Sequence, residues 1–485
     1  MVVRNSLYNL AAQIAIKLVS FGFMIFVVRQ LGKIEFGKYA IATSFVAVLM
    51  VLCDLGLGSY VSREVARDIK RAEELLGNMI ALRFILATIF IVFTTGSAWA
   101  IGYSSDIILA ILLGSSSQLL FAVQSSLDSV LIGSQRLGAS AFANLANQIV
   151  LVFSGVIILL LGFGFIGLSV ASLLGILAAT VLNSLTIRKR IGNIRLVFSP
   201  KNWFSMVRKG LPFGINQFAL SMSYRLDSLI LGWCWNNAVV GMYGAAYNLI
   251  FTLTTLSNSI NLALFPYMSR QFAQNPEIAR KNFGNYIRYL LMLSLPMATI
   301  GCVLAEPLAH LLFSASYTDS GKALAILVWA LPLMFLNELL GYIAATVGME
   351  RQMATIRVVN AISNIGMNIL VIPIYGLIGA SITTVVTEAI GLTQFIWLMR
   401  SKKVFSNSKM HLFKIGVAAT LAGLMGYLSA GLPVLLAGLT GLLVYLAGLI
   451  LTGSINSTEI KLVLTAITHK NKPKIEGNAL SRQEI

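Results

Sequence analysis

Fourteen apolar runs separated by short polar breaks divide this chain, and that pattern leaves few folds open to it. They fall near 7–31, 36–62, 77–101, 106–132, 138–161, 164–187, 211–234, 239–268, 285–305, 321–347, 354–374, 377–399, 412–430 and 432–453. About 20 apolar residues are what a helix needs to cross a bilayer's hydrocarbon core. A backbone inside lipid must also satisfy its own hydrogen bonds, as a helix does. Composition agrees, with 57% hydrophobic and 11% charged residues and a mean hydropathy of +0.83. A soluble domain carries about 25% charged residues, so this chain has too few to clothe a water-facing surface. The expectation is an all-α polytopic membrane protein with about 14 transmembrane helices. The first run, beginning near Leu7, is too long for a cleaved signal peptide and reads as a retained span.

The net charge is +18, from 36 basic and 18 acidic residues. In a soluble chain this would suggest nucleic acid; here it follows from basic cytoplasmic loops, and no nucleic-acid partner is expected. With a cytoplasmic N-terminus, the outer loops hold only Lys33, Lys38 and Lys322 as basic residues. The inner loops hold Arg63, Arg67, Lys70, Arg71, Arg136, Arg270, Arg280, Lys281, Arg351, Arg400, Lys402, Lys403 and Lys409. Both termini are therefore expected on the cytoplasmic side of a multi-pass protein of the inner membrane. Cys53, Cys234 and Cys302 form no CxxC pair and read as small residues in apolar surroundings, with no metal site.

The two halves resemble each other. YVSREVAR from Tyr60 parallels YMSRQFAQ from Tyr267, FGKYAIA (36–42) parallels VGMYGAA (240–246), and GFIGLSVAS (164–172) parallels GLIGASITT (376–384). Each half holds six spans, so corresponding spans run in the same direction and the repeat is parallel. This gives an N-terminal six-helix lobe (1–187), a basic linker (188–210), a second six-helix lobe (211–399), two extra spans (400–453) and a tail (454–485). Two facing lobes imply a central cavity. The linker has seven basic residues and no acid, and with Trp203 and Phe204 it suits either a headgroup-resting segment or a solvated connection. The tail reads as a short interfacial helix followed by disorder. Pro296 and Pro332, inside spans, are hinge candidates.

Charges inside spans are costly, about 2.5–3.5 kcal/mol each on insertion scales, and normally face a polar interior. Lys17, Arg29, Arg83, Arg225 and Arg288 are such cations; Asp54, Asp227, Glu338 and Glu388 are such acids. Asp128, near an inner end, reads as interfacial. Arg225 and Asp227 stand at i and i+2 and point to opposite sides of their helix, so each needs its own partner. Asp227 and Glu388 suit a role as counter-ions to cations on neighbouring helices. The cations are candidate substrate-binding groups, because arginine grips phosphate oxygens bidentately while lysine acts as a point charge. Gln217, Ser221, Asn258 and Asn261 could bind hydroxyls. A phosphate joined to sugar and carried on a lipid would suit that mixture. There is no nucleophile–base constellation and no Walker A motif, so no enzyme activity is expected.

The stretches NLAAQIAIKLVSFGFMIFVVRQLGKIEFGKYAIA, DLGLGSYVSREVAR, RLDSLILG and VGMYGAAYN resemble Wzx-type polysaccharide flippases of the multidrug/oligosaccharidyl-lipid/polysaccharide exporter superfamily. The resemblance covers essentially the whole chain. It implies two lobes that open alternately and pass an undecaprenyl-diphosphate-linked oligosaccharide from the inner to the outer leaflet, for O-antigen, capsule or exopolysaccharide. It also implies that Lys17, Arg29, Arg83, Arg225 and Arg288 line the cavity. Membrane lipids, a polysaccharide polymerase and a chain-length regulator are the expected partners. No cofactor is expected beyond H+ or Na+ coupling, for which Asp54, Asp227, Glu338 and Glu388 are candidates. The alternatives are a cation-coupled multidrug exporter of the same superfamily, a peptidoglycan-precursor flippase, and a scaffold that transports nothing. Lys17 in the first span would repel a cationic drug, and buried cations disfavour a scaffold.

Overall fold

The computed structural model describes residues 2–190, 192, 199–402, 404 and 412–454. The tail and most of 191–198 lie outside the described residues, as do the expectations placed on them. The described residues form helices joined by short turns: α1 (Val2–Leu49), α2 (Val51–Asp54), α3 (Leu57–Arg67), α4 (Ala72–Ile101), α5 (Ser105–Gly133), α6 (Leu137–Leu160), α7 (Gly164–Arg190), α8 (Pro200–Cys234) and α9 (Asn237–Gln274). Then follow α10 (Pro276–Val303), α11 (Ala305–Phe313), α12 (Thr318–Leu327), α13 (Ala330–Thr346), α14 (Glu350–Ser401), α15 (Leu412–Leu428) and α16 (Val434–Leu451).

Nine of these helices are long and apolar enough to cross a membrane, and α12 with α13 forms one more span bent by 47°. Two of the nine are double. Helix α1 folds back at Gly32 (φ 68°) and α14 at Gly376 (φ 56°), left-handed conformations that cost glycine little. With the shorter α15 and the more polar α8, the described residues give fourteen spans. Residues 200–210 of the expected linker are the first turns of α8. Pro332 stands three residues into α13, just past the 47° bend.

The internal repeat is visible in the backbone. Gly164 and Gly376, which open the parallel segments GFIGLSVAS and GLIGASITT, have φ values of 60° and 56°. A positive-φ glycine thus opens the last span of each lobe, preceded in the first lobe by a second one, Gly162 (φ 84°), in a short non-helical turn. The extra helices α15 and α16 pack on the flank of α10, where Tyr445 donates to the Met292 carbonyl at 2.7 Å.

The lobes meet along two seams. At the membrane face opposite the basic loops, α1 runs against α9, and a Cβ on Gly37 or Gly241 would overlap the carbonyl oxygen of Asn237 or Lys33. Backbones touch there because neither glycine carries a side chain. At the basic face, the turn after α2 meets α8; a Cβ on Gly210 would stand 2.9 Å from the Leu55 carbonyl oxygen. Helix α9 is buried from Val239 to Tyr247, then exposes Phe251, Leu256, Leu262 and Tyr267 on its way to the basic face.

Candidate functional site

A cavity of about 720 Å3 lies at the basic-face half of the seam between the lobes. Its walls come from the end of α1, from α2 and α3, from α4 and α5, and from Gln217 and Ser221 of α8. The second span is broken here. Leu55 and Gly56 are both left-handed (φ 47° and 72°), and the Asp54 carboxylate accepts the Gly56 amide at 3.1 Å. For leucine that backbone is strained, so the break is held by its surroundings.

Arg83 of α4 supplies that hold. Its side chain is 3% exposed and ion-paired to Asp54. Its Nη1 donates to Ser125 and Ser126 of α5 at 2.8 and 3.0 Å. One planar guanidinium therefore ties three helical segments while lining the cavity. Arg63 of α3 lines the same cavity, with its guanidinium over the rings of Tyr60 and Phe213, 6.0 and 5.6 Å from their centroids. Ser59, Ser62, Ser125 and Ser129 add hydroxyls.

The remaining expected cations stand elsewhere. Lys17 reaches across from the first lobe to the second, with Nζ 5.9 Å from the Phe251 ring centroid, at the depth where α9 begins to expose its side chains. Arg29 sits at the opposite face and donates from Nε to the Leu312 carbonyl at 2.8 Å and from Nη2 to that of Leu311. It satisfies the last carbonyls of α11, as a cation at a helix C-terminus does. Tyr317 closes the same region by donating to the Val28 carbonyl at 3.1 Å. Arg225 is half-buried on α8. Arg288 lies over the Tyr289 ring at 4.8 Å and donates to its hydroxyl at 3.1 Å. Of the five, Arg83 alone lines the large cavity among the described residues.

The acids of the second lobe differ from Asp54. The expected cationic partners of Asp227 and Glu388 are replaced by uncharged ones. Asp227, 2% exposed, accepts from Tyr243 of α9 and from the Ser228 amide. Glu388 accepts from Asn337 at 2.7 Å, and Glu338 accepts from Asn258. Around them Asn364, Asn368, Thr383 and Thr387 form a buried hydrogen-bonded chain between the two halves of α14. Asp227 is thus tied to its neighbours through a phenol, not through a second charge.

Two charged cavity residues escape the sequence pattern. Along the chain Arg63 counts among the loop cations and Asp128 reads as interfacial, yet Arg63 lines the cavity and Asp128 is half-buried against it. No signal along the chain separates these residues from loop charges, because both stand within a turn or two of a span end.

The family model described as polysaccharide biosynthesis protein matches residues 2–272, more than half the chain. The MatE model matches 212–374. A probable low-salt glycan biosynthesis flippase of Haloferax volcanii is 21% identical over 371 residues, covering 75% of this chain and 76% of that one. Among solved structures, a lipid II flippase MurJ in an inward closed conformation is similar in fold, with a TM-score of 0.72, 14% identity, and coverage of 90% of this chain and 98% of that one. An inward-facing multidrug resistance MATE family transporter of the MOP superfamily gives a TM-score of 0.67 at 18% identity, covering 81% and 98%. A chain whose described residues form two lobes of helices, and that matches this family model through its whole first lobe, is a member of the polysaccharide biosynthesis protein family.

Proposed function

We propose that this protein flips a polyprenyl-diphosphate-linked oligosaccharide across the cytoplasmic membrane by alternating access, for surface polysaccharide assembly. The observation that carries the reading is the seam cavity, where Arg83 and Arg63 stand among serine hydroxyls, Gln217 and Ser221. Guanidinium groups suit a diphosphate, and hydroxyls and amides suit sugar. The volume of about 720 Å3 suits a headgroup of a few rings. The lipid tail would stay in the bilayer. Lys17, at the Phe251 level between the lobes, would be the first fixed cation met along the α1–α9 face.

The seams support a rocking motion. The face opposite the basic loops is shut by the Gly37–Gly241 backbone contact and by Arg29 and Tyr317. Opening that face requires these to separate while the basic face closes. Both termini lie on the cytoplasmic side in this reading, with the lipid-linked oligosaccharide loaded from there. Coupling to H+ or Na+ would fall to Asp227, Glu338 or Glu388, whose hydrogen-bond partners Tyr243, Asn258 and Asn337 are uncharged. A polymerase and a chain-length regulator would act on the product.

The test is transport in vesicles. The purified protein is reconstituted with a fluorescent undecaprenyl-diphosphate oligosaccharide, and its accessibility to a membrane-impermeant quencher is followed. Transport that falls at least tenfold in Arg83→Ala and Arg63→Ala at equal protein level supports the reading. Undiminished transport in both, or movement of lipid II in preference to the oligosaccharide, overturns it.

A further inference from the structure

The start of α8 carries a surface that the flippase reading leaves unused. Although α8 is the first helix of the second lobe, its opening turns are rooted in the first. Trp203, Met206 and Val207 pack into an apolar cluster with Leu57, Leu76 and Ile187, where Met206 is 3% exposed. One buried side chain on α4 fastens the contact. Asn78 Oδ1 accepts from the Ser199 amide and from Trp203 Nε1, both at 3.1 Å. Asn202 donates to Glu74 at the same distance.

These bonds fix the depth of the segment. Asn78 lies 21 residues along α4 from Trp99, which is 76% exposed at the opposite face, as a residue of an aromatic belt is. At 1.5 Å per residue the two stand about 31 Å apart, close to the thickness of a hydrocarbon core. Trp203 and its neighbour Phe204 therefore stand at the basic-face boundary between acyl chains and headgroups. Helix α8 takes 30 residues to cover that depth, from Trp203 to the exposed Trp233, so its course is oblique and its first turns slant along the surface.

Helical spacing decides what those turns present. With Trp203, Met206 and Val207 turned inward, Lys201, Phe204 and Arg208 share the opposite side at i−3, i and i+4. All three are exposed, Phe204 to 76%. Lys209 is turned away, its Nζ 5.8 Å from the Tyr60 ring centroid. Ile187 in the shared cluster brings the end of α7 alongside, with Arg188 and Lys189 exposed. Among the described residues no ion pair holds Arg188, Lys189, Lys201 or Arg208. A phenyl ring between two cations at this depth matches a phospholipid, with the ring among acyl chains and the charges at the phosphates.

We propose that the Lys201–Phe204–Arg208 side of α8, with Arg188 and Lys189 of α7, binds anionic phospholipids of the leaflet at the basic face. Fixed cations there favour a headgroup of net negative charge over a zwitterionic one. Free phosphate does not suit the surface, because Phe204 gains nothing from it. Bound lipid would cover both sides of the chain's crossing from the first lobe to the second. The surface is apart from the seam cavity and holds whether or not the cargo is a lipid-linked sugar, because its test reads phospholipid binding and not transport.

The test uses the purified full-length protein in detergent micelles doped with phosphatidylglycerol, or with phosphatidylcholine of the same acyl chains. Thermal unfolding is recorded at rising lipid. Phosphatidylglycerol should raise the unfolding temperature saturably by several degrees, and phosphatidylcholine by much less, since a ligand bound only to the folded state stabilises it by mass action. The difference should shrink in about 0.5 M NaCl. Lys201→Gln combined with Arg208→Gln, both at exposed positions, should weaken apparent phosphatidylglycerol affinity on the order of tenfold. Phe204→Ser should weaken it roughly fivefold while keeping the salt dependence. Arg400→Gln combined with Lys402→Gln, exposed cations at the end of α14, should leave it unchanged. Equal shifts with the two lipids, or a shift reproduced by inorganic phosphate alone, overturn the proposal. So does a phosphatidylglycerol affinity undiminished by the Lys201/Arg208 pair or by Phe204→Ser, or one lowered as far by the Arg400/Lys402 pair.

Discussion

Arg83 of α4 and Arg288 of α10 lie on the third span of each lobe, 205 residues apart, close to the 207 that separate Tyr60 from Tyr267, yet the structure uses them differently. Arg83 is buried, ion-paired to Asp54, and joins three helical segments. Arg288 lies over its own neighbour Tyr289. The acids mirror the contrast. Asp54 meets a guanidinium, whereas Asp227, Glu388 and Glu338 meet Tyr243, Asn337 and Asn258. A duplicated frame keeps its helix directions and a positive-φ glycine at the head of the last span, as Gly164 and Gly376 show, because those follow from backbone sterics and bilayer thickness. Polar chemistry inside the lobes is not so constrained. Each buried charge needs a local partner, and the partner can be rebuilt in one lobe without disturbing the other.

Four substitutions would break or sharpen that comparison. The largest effect belongs to Arg83→Ala. It strands Asp54 and two serines beside a strained turn, and removing one partner of a buried pair costs about 3–5 kcal/mol. Asp54 is a third exposed, which places this case at the lower end. Thermal unfolding in detergent should show the loss, and Arg83→Lys should recover only part of it, because an ammonium cannot reproduce the fork to Asp54, Ser125 and Ser126. If Arg83→Ala unfolds like the unmodified protein, the two repeat positions are equivalent after all.

Gly241→Val comes next. Its side chain would overlap the Lys33 backbone carbonyl, and overpacking of this kind costs about 1–3 kcal/mol. The strain falls on one seam, so it should populate a state open at the face opposite the basic loops. Labelling of a cysteine placed at Ser314 by a membrane-impermeant reagent would increase.

Asp227→Asn removes the charge but leaves oxygen and nitrogen in place. Loss of a charge-assisted bond from Tyr243 should cost about 1.5–3 kcal/mol at most, less if the amide accepts from the same phenol. If the second lobe's acids were held by cations, neutralising Asp227 would strand one and cost more; a small loss confirms uncharged partnering. The smallest effect is expected for Arg288→Ala, about 0.5–1 kcal/mol, because Arg288 is more exposed than Arg83 and packs on the ring and hydroxyl of its own neighbour Tyr289. The Arg83/Arg288 pair of unfolding curves is thus the direct measure of how far the lobes have diverged.

Much of this protein was legible in its residues before any tertiary structure. Fourteen spans, the parallel repeat and the break between halves follow from apolar run length and recurring Gly, Tyr and Arg spacing, which backbone hydrogen bonding in lipid turns into helices almost without alternative. The site was legible only in part. Lys17 and Arg83 stand out because a charge within an apolar run is expensive wherever it points. Arg29 stands out for the same reason, yet it holds the α11 carbonyls at the far face. Arg63 and Asp128 line the cavity but look like loop charges along the chain. Periodicity reports how deep a residue lies and which side of its own helix it occupies. Whether that side meets lipid, a carboxylate or a water-filled gap depends on where α8 and α9 of the other lobe are placed. That placement is decided by contacts between residues hundreds of positions apart, such as Gly37 with Asn237, and no local pattern encodes it.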